Sequence, residues 1–288
     1  MILQQLVNGL IIGSVYALIA LGLTMIYGVL RILHVAHAGI YALGAYAGLV
    51  AYGLSQSFLL ALLAAMVVAG AAGFGIQRYI YRPLFGTSPL VPLIASIGLF
   101  IFMEDLYRLV FGPNIIPLNA VWPSFALEWR GVKVTETQLV ILLVTGLLLA
   151  FVWFFTEKTR LGLAWKAVAQ DLEIAQAMGV NANLAVASNV VLGSVLAAAA
   201  GLLVAANYNE VYPTMGSVPA YKMLAIVVLG GLGNPVGTVL AGLLIGLVET
   251  LVVAYLGYKL PRDAIAFLAL ILVLMLKPQG LFARKGGG

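Results

Sequence analysis

The 288-residue sequence has no cysteine, two histidines and few charged residues, and these shortages exclude several classes of function. Without cysteine the chain can form neither disulfides nor thiolate metal sites, and it has no cysteine nucleophile. No G-x-x-x-x-G-K-[ST], H-E-x-x-H or G-x-S-x-G motif occurs. Catalysis and ATP binding by this chain are therefore not expected. We therefore expect neither enzymatic activity nor a bound cofactor or metal.

Apolar residues make up 63% of the chain and charged residues 9%, which excludes an ordinary water-soluble core with a charged shell. Apolar runs long enough to cross ~30 Å of hydrocarbon are frequent. They lie near 5–29, 38–57, 58–77, 90–112, 137–156, 184–207 and 235–257, with shorter runs at 219–231 and 264–276. The predicted fold class is an all-α polytopic membrane protein with about 8–9 transmembrane helices, some broken or half-spanning. No linker divides residues 1–285, so one domain is expected, and 286–288 form a tail or a cloning scar.

The positions of the charges predict the orientation. With nine spans, one side holds nine cations (Arg31, Arg78, Arg82, Lys158, Arg160, Lys166, Lys277, Arg284 and Lys285) and three acids (Glu157, Asp171 and Glu173). The other side is balanced, with Arg108, Arg130, Lys133, Lys222, Lys259 and Arg262 against Glu104, Asp105, Glu128, Glu136, Glu210 and Asp263. The basic excess predicts an N-terminus outside and a cytoplasmic C-terminus. No basic and aromatic interleaving of the kind that binds nucleic acid is present.

The polar insert between two long apolar runs, Lys158 to Asn183, is the most informative segment. Leu161, Ala164, Trp165 and Val168 follow the spacing of one helical face, which predicts a short amphipathic helix. Asp171 is placed to cap a second helix, and Gly179 to end it in a left-handed conformation. Two short helices at a membrane surface predict a docking site for a partner. The loop Pro113 to Glu136, with Trp122 and Trp129, is suited to the opposite interface.

Several residues within the apolar runs have alternative explanations. Small residues four apart, such as Gly9 and Gly13 or Gly242 and Gly246, favour close helix packing over a role in the transport path. His34 and His37 make a poor metal site and are better explained by hydrogen bonding at a turn or by gating. Glu249 lies well inside an apolar run, where a structural pair, a substrate or coupling role and an interfacial position are all open. The stretches 31–50 and 230–248 are both broken by glycine, as in some transport paths.

Six blocks in order resemble the Liv-type permease subunit of branched-chain amino acid ABC importers. They lie at 8–46, 81–84, 93–102, 159–181, 228–249 and 270–282. The resemblance implies two cytoplasmic ATPase subunits, a second related permease (or a second copy of this chain) and a periplasmic substrate-binding protein, in the bacterial inner membrane. It makes 158–183 the cytoplasmic coupling segment, with Arg160, Gly162, Ala164, Ala169, Asp171, Ala175 and Gly179 as ATPase-coupling residues. The candidates for the translocation path are Asn8, Tyr27, His37, Gly44, Asn234, Pro235 and Glu249.

The sequence departs from the family after the first span. The family commonly has Phe-Ala-His-Gly-Glu, whereas this chain has Val35-Ala36-His37-Ala38-Gly39, without the acidic residue. Taken over the six blocks, the resemblance implies a permease that moves amino acids, with branched-chain amino acids as the leading class, by alternating access driven by ATP hydrolysis on partner subunits. The alternatives are a permease for another amino acid, urea or another amide, or a sugar; an ion-coupled secondary transporter that uses Glu249; and a membrane scaffold.

Overall fold

A computed structural model describes residues 2–120, 127–129, 131–257, 261–277 and 280–282. The described helices are α1 (Ile2–Leu30), α2 (His37–Ser55), α3 (Phe58–Ile76), α4 (Leu90–Phe111), α5 (Glu136–Lys158), α6 (Arg160–Gln170), α7 (Leu172–Ala177), α8 (Ala182–Tyr208), α9 (Ser217–Gly230), α10 (Pro235–Leu256) and α11 (Arg262–Leu276). Helix α3 continues through a π-helical turn, Gln77–Tyr81, and a 3-10 turn, Arg82–Leu84. Two short strands, β1 (Leu127–Trp129) and β2 (Val132–Val134), form an antiparallel hairpin.

Seven of the described helices are long and apolar enough to cross a membrane, and two shorter apolar helices lie at 217–230 and 264–276. These positions match the nine apolar runs of the sequence, so the prediction of an all-α polytopic membrane protein is confirmed. The hairpin was not predicted, because its strands have three residues each. The predicted interfacial residue Trp122 and the 286–288 tail lie outside the described residues.

Helices α1 and α10 run antiparallel in close contact because small residues line both helices. A Cβ built on Gly13 would lie 2.9 Å from the Cα of Leu243, and one on Gly242 would lie 2.7 Å from the Cα of Ala17. Further along the same contact, the hydroxyls of Thr24 and Thr238 are 2.7 Å apart. The predicted packing role of the small residues is therefore confirmed for this pair of helices.

The chain has two distinct ends. At one end, which we call the hairpin end, the Gln4 side chain donates to Lys133 O (2.9 Å) and accepts from Lys133 N (2.8 Å). At the opposite end, the segment end, Arg31 donates to Ala169 O in α6 (3.2 Å). Helix α1 thus connects the hairpin to α6, and α10 runs back in the reverse direction.

Helix α2 begins in the middle of the bundle. His37, its first residue, lies within hydrogen-bond distance of Ile19 O, near the midpoint of α1 (3.1 Å). Helix α9 also begins there, since a Cβ on Gly216 would collide with Ala38 O. The turn before α10 is different, because Gly233 stays beside Gly28 near the segment end. The non-helical part of the first glycine-broken stretch, residues 31–36, therefore reaches the depth at which α9 starts. In the second stretch, 230–248, the non-helical turn stays near the segment end and only α10 runs through the bundle.

Candidate functional site

The segment Lys158 to Asn183 folds into α6 and α7, as the sequence predicted, and α6 begins with a sharp turn. Thr159 Oγ1 accepts from Gly162 N (3.1 Å) and donates to Phe155 O (2.6 Å), so one side chain both caps α6 and ends α5. Gly162 packs so close that a Cβ would collide with Thr156 O. A glycine at this position is what allows α6 to fold back against α5.

Two of the predicted coupling residues define the ends of α7. Asp171 Oδ1 accepts from Ile174 N (2.9 Å), which caps the first turn. Gly179 has φ +85°, and its neighbour Val180 donates to Ala175 O (3.0 Å), a left-handed helix ending. Asn181 then caps α8 through Leu184 N (3.1 Å). The predicted local roles of Asp171 and Gly179 are confirmed; their part in coupling remains a prediction.

One face of the segment is anchored and the other is free to meet a partner. Trp165 and Val168 are buried, and Trp165 Nε1 donates to Ser188 Oγ (3.0 Å). The outward side exposes Leu163, Ile174 and Met178, of which Met178 is 81% exposed. The remaining predicted coupling residues differ in exposure: Ala175 is buried, Ala164 and Ala169 are half-buried and Arg160 is exposed. We call this segment the platform: both of its helices are capped, and its exposed surface carries these three large apolar side chains among polar ones such as Lys166 and Gln170.

The predicted path residues do not converge on one place. Gly44 packs against the backbone of Ala198, where α2 meets α8. Asn234 caps α10 through Gly237 N (3.2 Å) and donates to Phe282 O (2.7 Å), and Pro235 is the first residue of that helix. Tyr27 is half-buried in the last turns of α1, so Tyr27, Asn234 and Pro235 lie near the segment end. Asn8 lies in a cavity at the hairpin end.

Glu249 belongs to a cluster that we call the ion-pair cluster, made of Tyr16, Lys222 and Glu249. Lys222 Nζ lies 3.0 Å from both carboxylate oxygens of Glu249, and the two side chains are 4% and 0% exposed. Tyr16 donates to Glu249 Oε2 (3.0 Å) and accepts from Lys222 Nζ (2.8 Å). The assignment of Lys222 to the outer loops was therefore wrong. Helix α9 carries this lysine into the bundle, where the carboxylate compensates its charge.

A second buried group, the histidine cluster, consists of His34, His37 and Tyr81. His34 Nδ1 lies within hydrogen-bond distance of the Tyr81 hydroxyl, and the two imidazole rings meet edge to face at 5.8 Å between centroids. His34 Nε2 and His37 Nδ1 are buried without a hydrogen-bond partner in the described part of the chain. Within that same part, no three His, Asp or Glu side chains come close enough to hold a metal ion. Hydrogen bonding at the turn is what the geometry shows for both histidines.

A cavity of about 580 Å³ opens at the hairpin end, between α1, α5, α8 and α10. Its polar lining comprises Gln5, Asn8, Gln138, Asn207, Tyr208 and Thr250. Of these, only Asn8 was singled out for the path by the sequence. The others were missed because they come from four helices that are far apart in sequence. The signal in the sequence that could have indicated this cavity was the presence of amide side chains near the ends of several apolar runs.

The sequence as a whole matches the family model described as "Branched-chain amino acid transport system / permease component", over residues 5–276. The high-affinity branched-chain amino acid transport system permease protein BraD of Pseudomonas aeruginosa is 36% identical over 297 residues, covering 98% of this chain and 96% of that protein. The permease protein LivH of the corresponding Escherichia coli K12 system is 35% identical over 295 residues, with the same coverages.

Among solved structures, PsaBC from Streptococcus pneumoniae in complex with Fab superposes with a TM-score of 0.52 and 14% identity, covering 93% of this chain and 89% of that one. At this identity the match supports the fold alone. The predicted resemblance, the multi-pass membrane architecture and the role as a transport subunit instead of an enzyme are confirmed by the family match and the two relatives. The chain belongs to the family of permease components of branched-chain amino acid transport systems.

Proposed function

We propose that this chain is the permease subunit of an ATP-driven importer of branched-chain amino acids, and that it works by alternating access. The observation that carries the proposal is the platform of α6 and α7, which is capped at each end and exposes Leu163, Ile174 and Met178. Large apolar side chains exposed on a helical surface outside the bundle suit the groove of a partner protein. Full-length similarity to amino-acid permeases supplies the substrate class.

The proposed complex contains two permeases, this chain and either a related permease or a second copy of it, together with two cytoplasmic ATPase subunits. An ATPase docks on α6 and α7 of this chain, and a periplasmic substrate-binding protein docks at the hairpin end. ATP would be hydrolysed only on the ATPases, since this chain has no phosphate-binding motif.

Arg31 connects the platform to the bundle, because its guanidinium donates to Ala169 O in the last turn of α6. A cation there also suits the negative end of a helix. Movement of α6 would thus reach the turn 31–36 directly.

The proposal gives the ion-pair cluster a structural role. The carboxylate of Glu249 is 0% exposed and lies 3.0 Å from Lys222 Nζ. A proton taken up by Glu249 would neutralise the carboxylate, and a cation bound there would displace the lysine, so in both cases the buried charge of Lys222 would lose its compensation. This cost speaks against an ion-coupled transporter that uses Glu249 and favours energy supplied by partner ATPases.

The docking proposal is tested by adding one negative charge to the outer surface of α7. Ile174→Asp, on a residue that is 64% exposed, should lower ATPase co-purification and ATP-dependent leucine uptake about tenfold, roughly the effect of 1.4 kcal/mol. Gln176→Asp is the matched control, because Gln176 is an exposed residue of the same helix and gains the same charge. Equal ATPase binding and uptake in both variants would overturn the docking site. Uptake that ignores ATP and disappears when the proton gradient is collapsed would reject the ATP-driven mechanism.

The proposed orientation places the N-terminus outside and the C-terminus in the cytoplasm of a bacterial inner membrane. The orientation is supported by the charge asymmetry of the sequence, with nine cations and three acids on the inner side against a balanced outer side. The absence of native cysteine makes single-cysteine labelling clean. Ser55→Cys should react with a membrane-impermeant maleimide in intact cells, and Gln170→Cys only after permeabilisation. The reverse pattern would invert the topology.

A further inference from the structure

The cavity at the hairpin end contains amide groups that the protein itself leaves unused. Gln5 and Asn207 line it, and neither side chain makes a hydrogen bond to the described residues. Gln138 accepts from Thr135 N through Oε1 (3.0 Å), and its NH2 group has no partner in that same part of the chain. Asn8 Oδ1 accepts from Gln4 Nε2 (3.1 Å). Amide groups from α1, α5 and α8 therefore meet around one space with donors and acceptors to spare.

The lining suits a ligand that carries both charges and no net charge. Each free amide offers NH2 donors and a carbonyl acceptor, so a carboxylate and an ammonium group can both be bound. Among the residues that the structure describes, those that line the cavity include no charged side chain. An anionic or cationic ligand would therefore have no compensating charge, and part of its desolvation cost would remain.

The rest of the wall is aliphatic, with Ile11 and Ile12 on α1 and Val253 and Ala254 on α10. Such a surface accommodates a branched aliphatic side chain through apolar contact. The volume of about 580 Å³ lies within the range of roughly 300–1,000 Å³ typical of small-molecule sites. A small amino acid would leave space for water, which favours weak binding and easy release.

We propose that this cavity is a low-affinity binding site for neutral amino acids with aliphatic side chains, and the first station for substrate in the permease. The proposal depends on the proposed function for the substrate class and adds the site, its residues and its charge selectivity. A lipid acyl chain is the competing occupant. The six polar residues of the lining favour the amino acid over a purely apolar chain.

The test uses a leucine analogue with a diazirine in its side chain, photolysed with the purified full-length chain in lipid nanodiscs. Labelled residues identified by peptide mass spectrometry should cluster at the cavity, in the first turns of α1 and the last turns of α10. Excess leucine should reduce this labelling about tenfold, while equal concentrations of lysine or glutamate should reduce it less than about twofold. Labelling spread along lipid-facing helices, or removed equally by all three amino acids, would overturn the proposal.

Two matched pairs of variants separate the cavity from its surroundings. Ile12→Trp fills the cavity and should abolish specific labelling, whereas Leu54→Trp adds the same ring at an 85% exposed position at the same end of the bundle and should not. Gln5→Glu should lower competition by leucine and raise competition by lysine, each about fivefold. Gln56→Glu places the same charge on an exposed turn and should change neither. Equal behaviour within either pair would contradict the site.

Photolabelling needs neither ATP nor the partner subunits, so its failure is distinguishable from failure of the proposed function. If the unmodified chain shows no labelling at the cavity while the complete complex takes up leucine normally with ATP, the proposed binding site is rejected and the proposed importer function stands. A lipid that co-purifies in the cavity, is detected by native mass spectrometry and is not displaced by leucine would assign the cavity to lipid.

Discussion

The two clusters of polar groups buried between the helices differ in how completely they are satisfied. In the ion-pair cluster, lysine, carboxylate and phenol all contact one another at 2.8–3.0 Å. In the histidine cluster, one nitrogen of each imidazole is left without a hydrogen bond to the described residues. Both clusters join segments distant in the sequence, but only the first one matches opposite charges.

This difference ranks the two clusters by the free-energy cost of separating their members. Separating Lys222 from Glu249 would leave two charges in a low-dielectric interior, so the ion-pair cluster holds α9 against α1 and α10 as a fixed unit. Moving His34 away from Tyr81 breaks one hydrogen bond, at a cost of about 1–3 kcal/mol, but separates no opposite charges. The turn 31–36, which carries His34 and is attached to α6 through Arg31, is therefore the more adjustable of the two regions.

The largest expected effect comes from breaking the ion-pair cluster on one side. Lys222→Met leaves the Glu249 carboxylate buried without its cation, and we expect the folded state to lose about 3–5 kcal/mol. The melting temperature in detergent, measured by size-exclusion chromatography after heating, should drop more than for any single substitution in the histidine cluster. A melting temperature equal to that of the unmodified chain would refute the structural role of the pair.

The matched control removes both charges at once. Lys222→Met combined with Glu249→Leu leaves no uncompensated charge, and replacing a buried ion pair by apolar residues of similar volume is often neutral. The double variant should therefore melt well above Lys222→Met alone. If the stability loss of the double variant equals the sum of the losses of Lys222→Met alone and Glu249→Leu alone, the residues do not interact in the membrane and the geometry of the cluster is wrong.

The ion-pair cluster also shows where prediction from the sequence ends. The apolar runs predicted the helices because membrane thickness fixes their length, and Asp171 and Gly179 were predictable because helix caps are local. Lys222 was misplaced because its environment depends on how deeply α9 starts, which contacts with α2 determine. Its partner Glu249 lies 27 residues further along the chain.

The other unpredicted features have the same cause. The cavity combines Gln5, Gln138 and Asn207, whose proximity depends on the packing of three helices. Its existence could not follow from any single apolar run. For the hairpin a weak signal was present: Val132-Lys133-Val134 alternates, and Gly131 has φ +78° at the turn. Three-residue strands are too short for this alternation to stand out against the surrounding loop.

A smaller effect is expected in the histidine cluster. Tyr81→Phe removes the hydroxyl that meets His34 Nδ1 and leaves that buried nitrogen unpaired, at a cost of about 1–3 kcal/mol. Its melting temperature should lie between those of Lys222→Met and the unmodified chain. Tyr79→Phe, at a 74% exposed position in the same π-helical turn, is the control and should have no effect. A loss larger than that of Lys222→Met would reverse the ranking of the two clusters.

The smallest effect should come from trimming the ion-pair cluster without breaking its charges. Tyr16→Phe removes the hydroxyl that bridges Lys222 and Glu249 but keeps the ring, whose centroid lies 4.8 Å from Lys222 Nζ. The direct lysine–carboxylate contact remains, so the expected loss is about 0.5–1.5 kcal/mol, that of one net hydrogen bond. Tyr16→Leu also removes the ring and should melt lower, since the cation–π contact is lost as well. If Tyr16→Phe were as damaging as Lys222→Met, the phenol would be an obligatory member of the charge network, and the cluster would be a triad in place of a pair with a supporting hydroxyl.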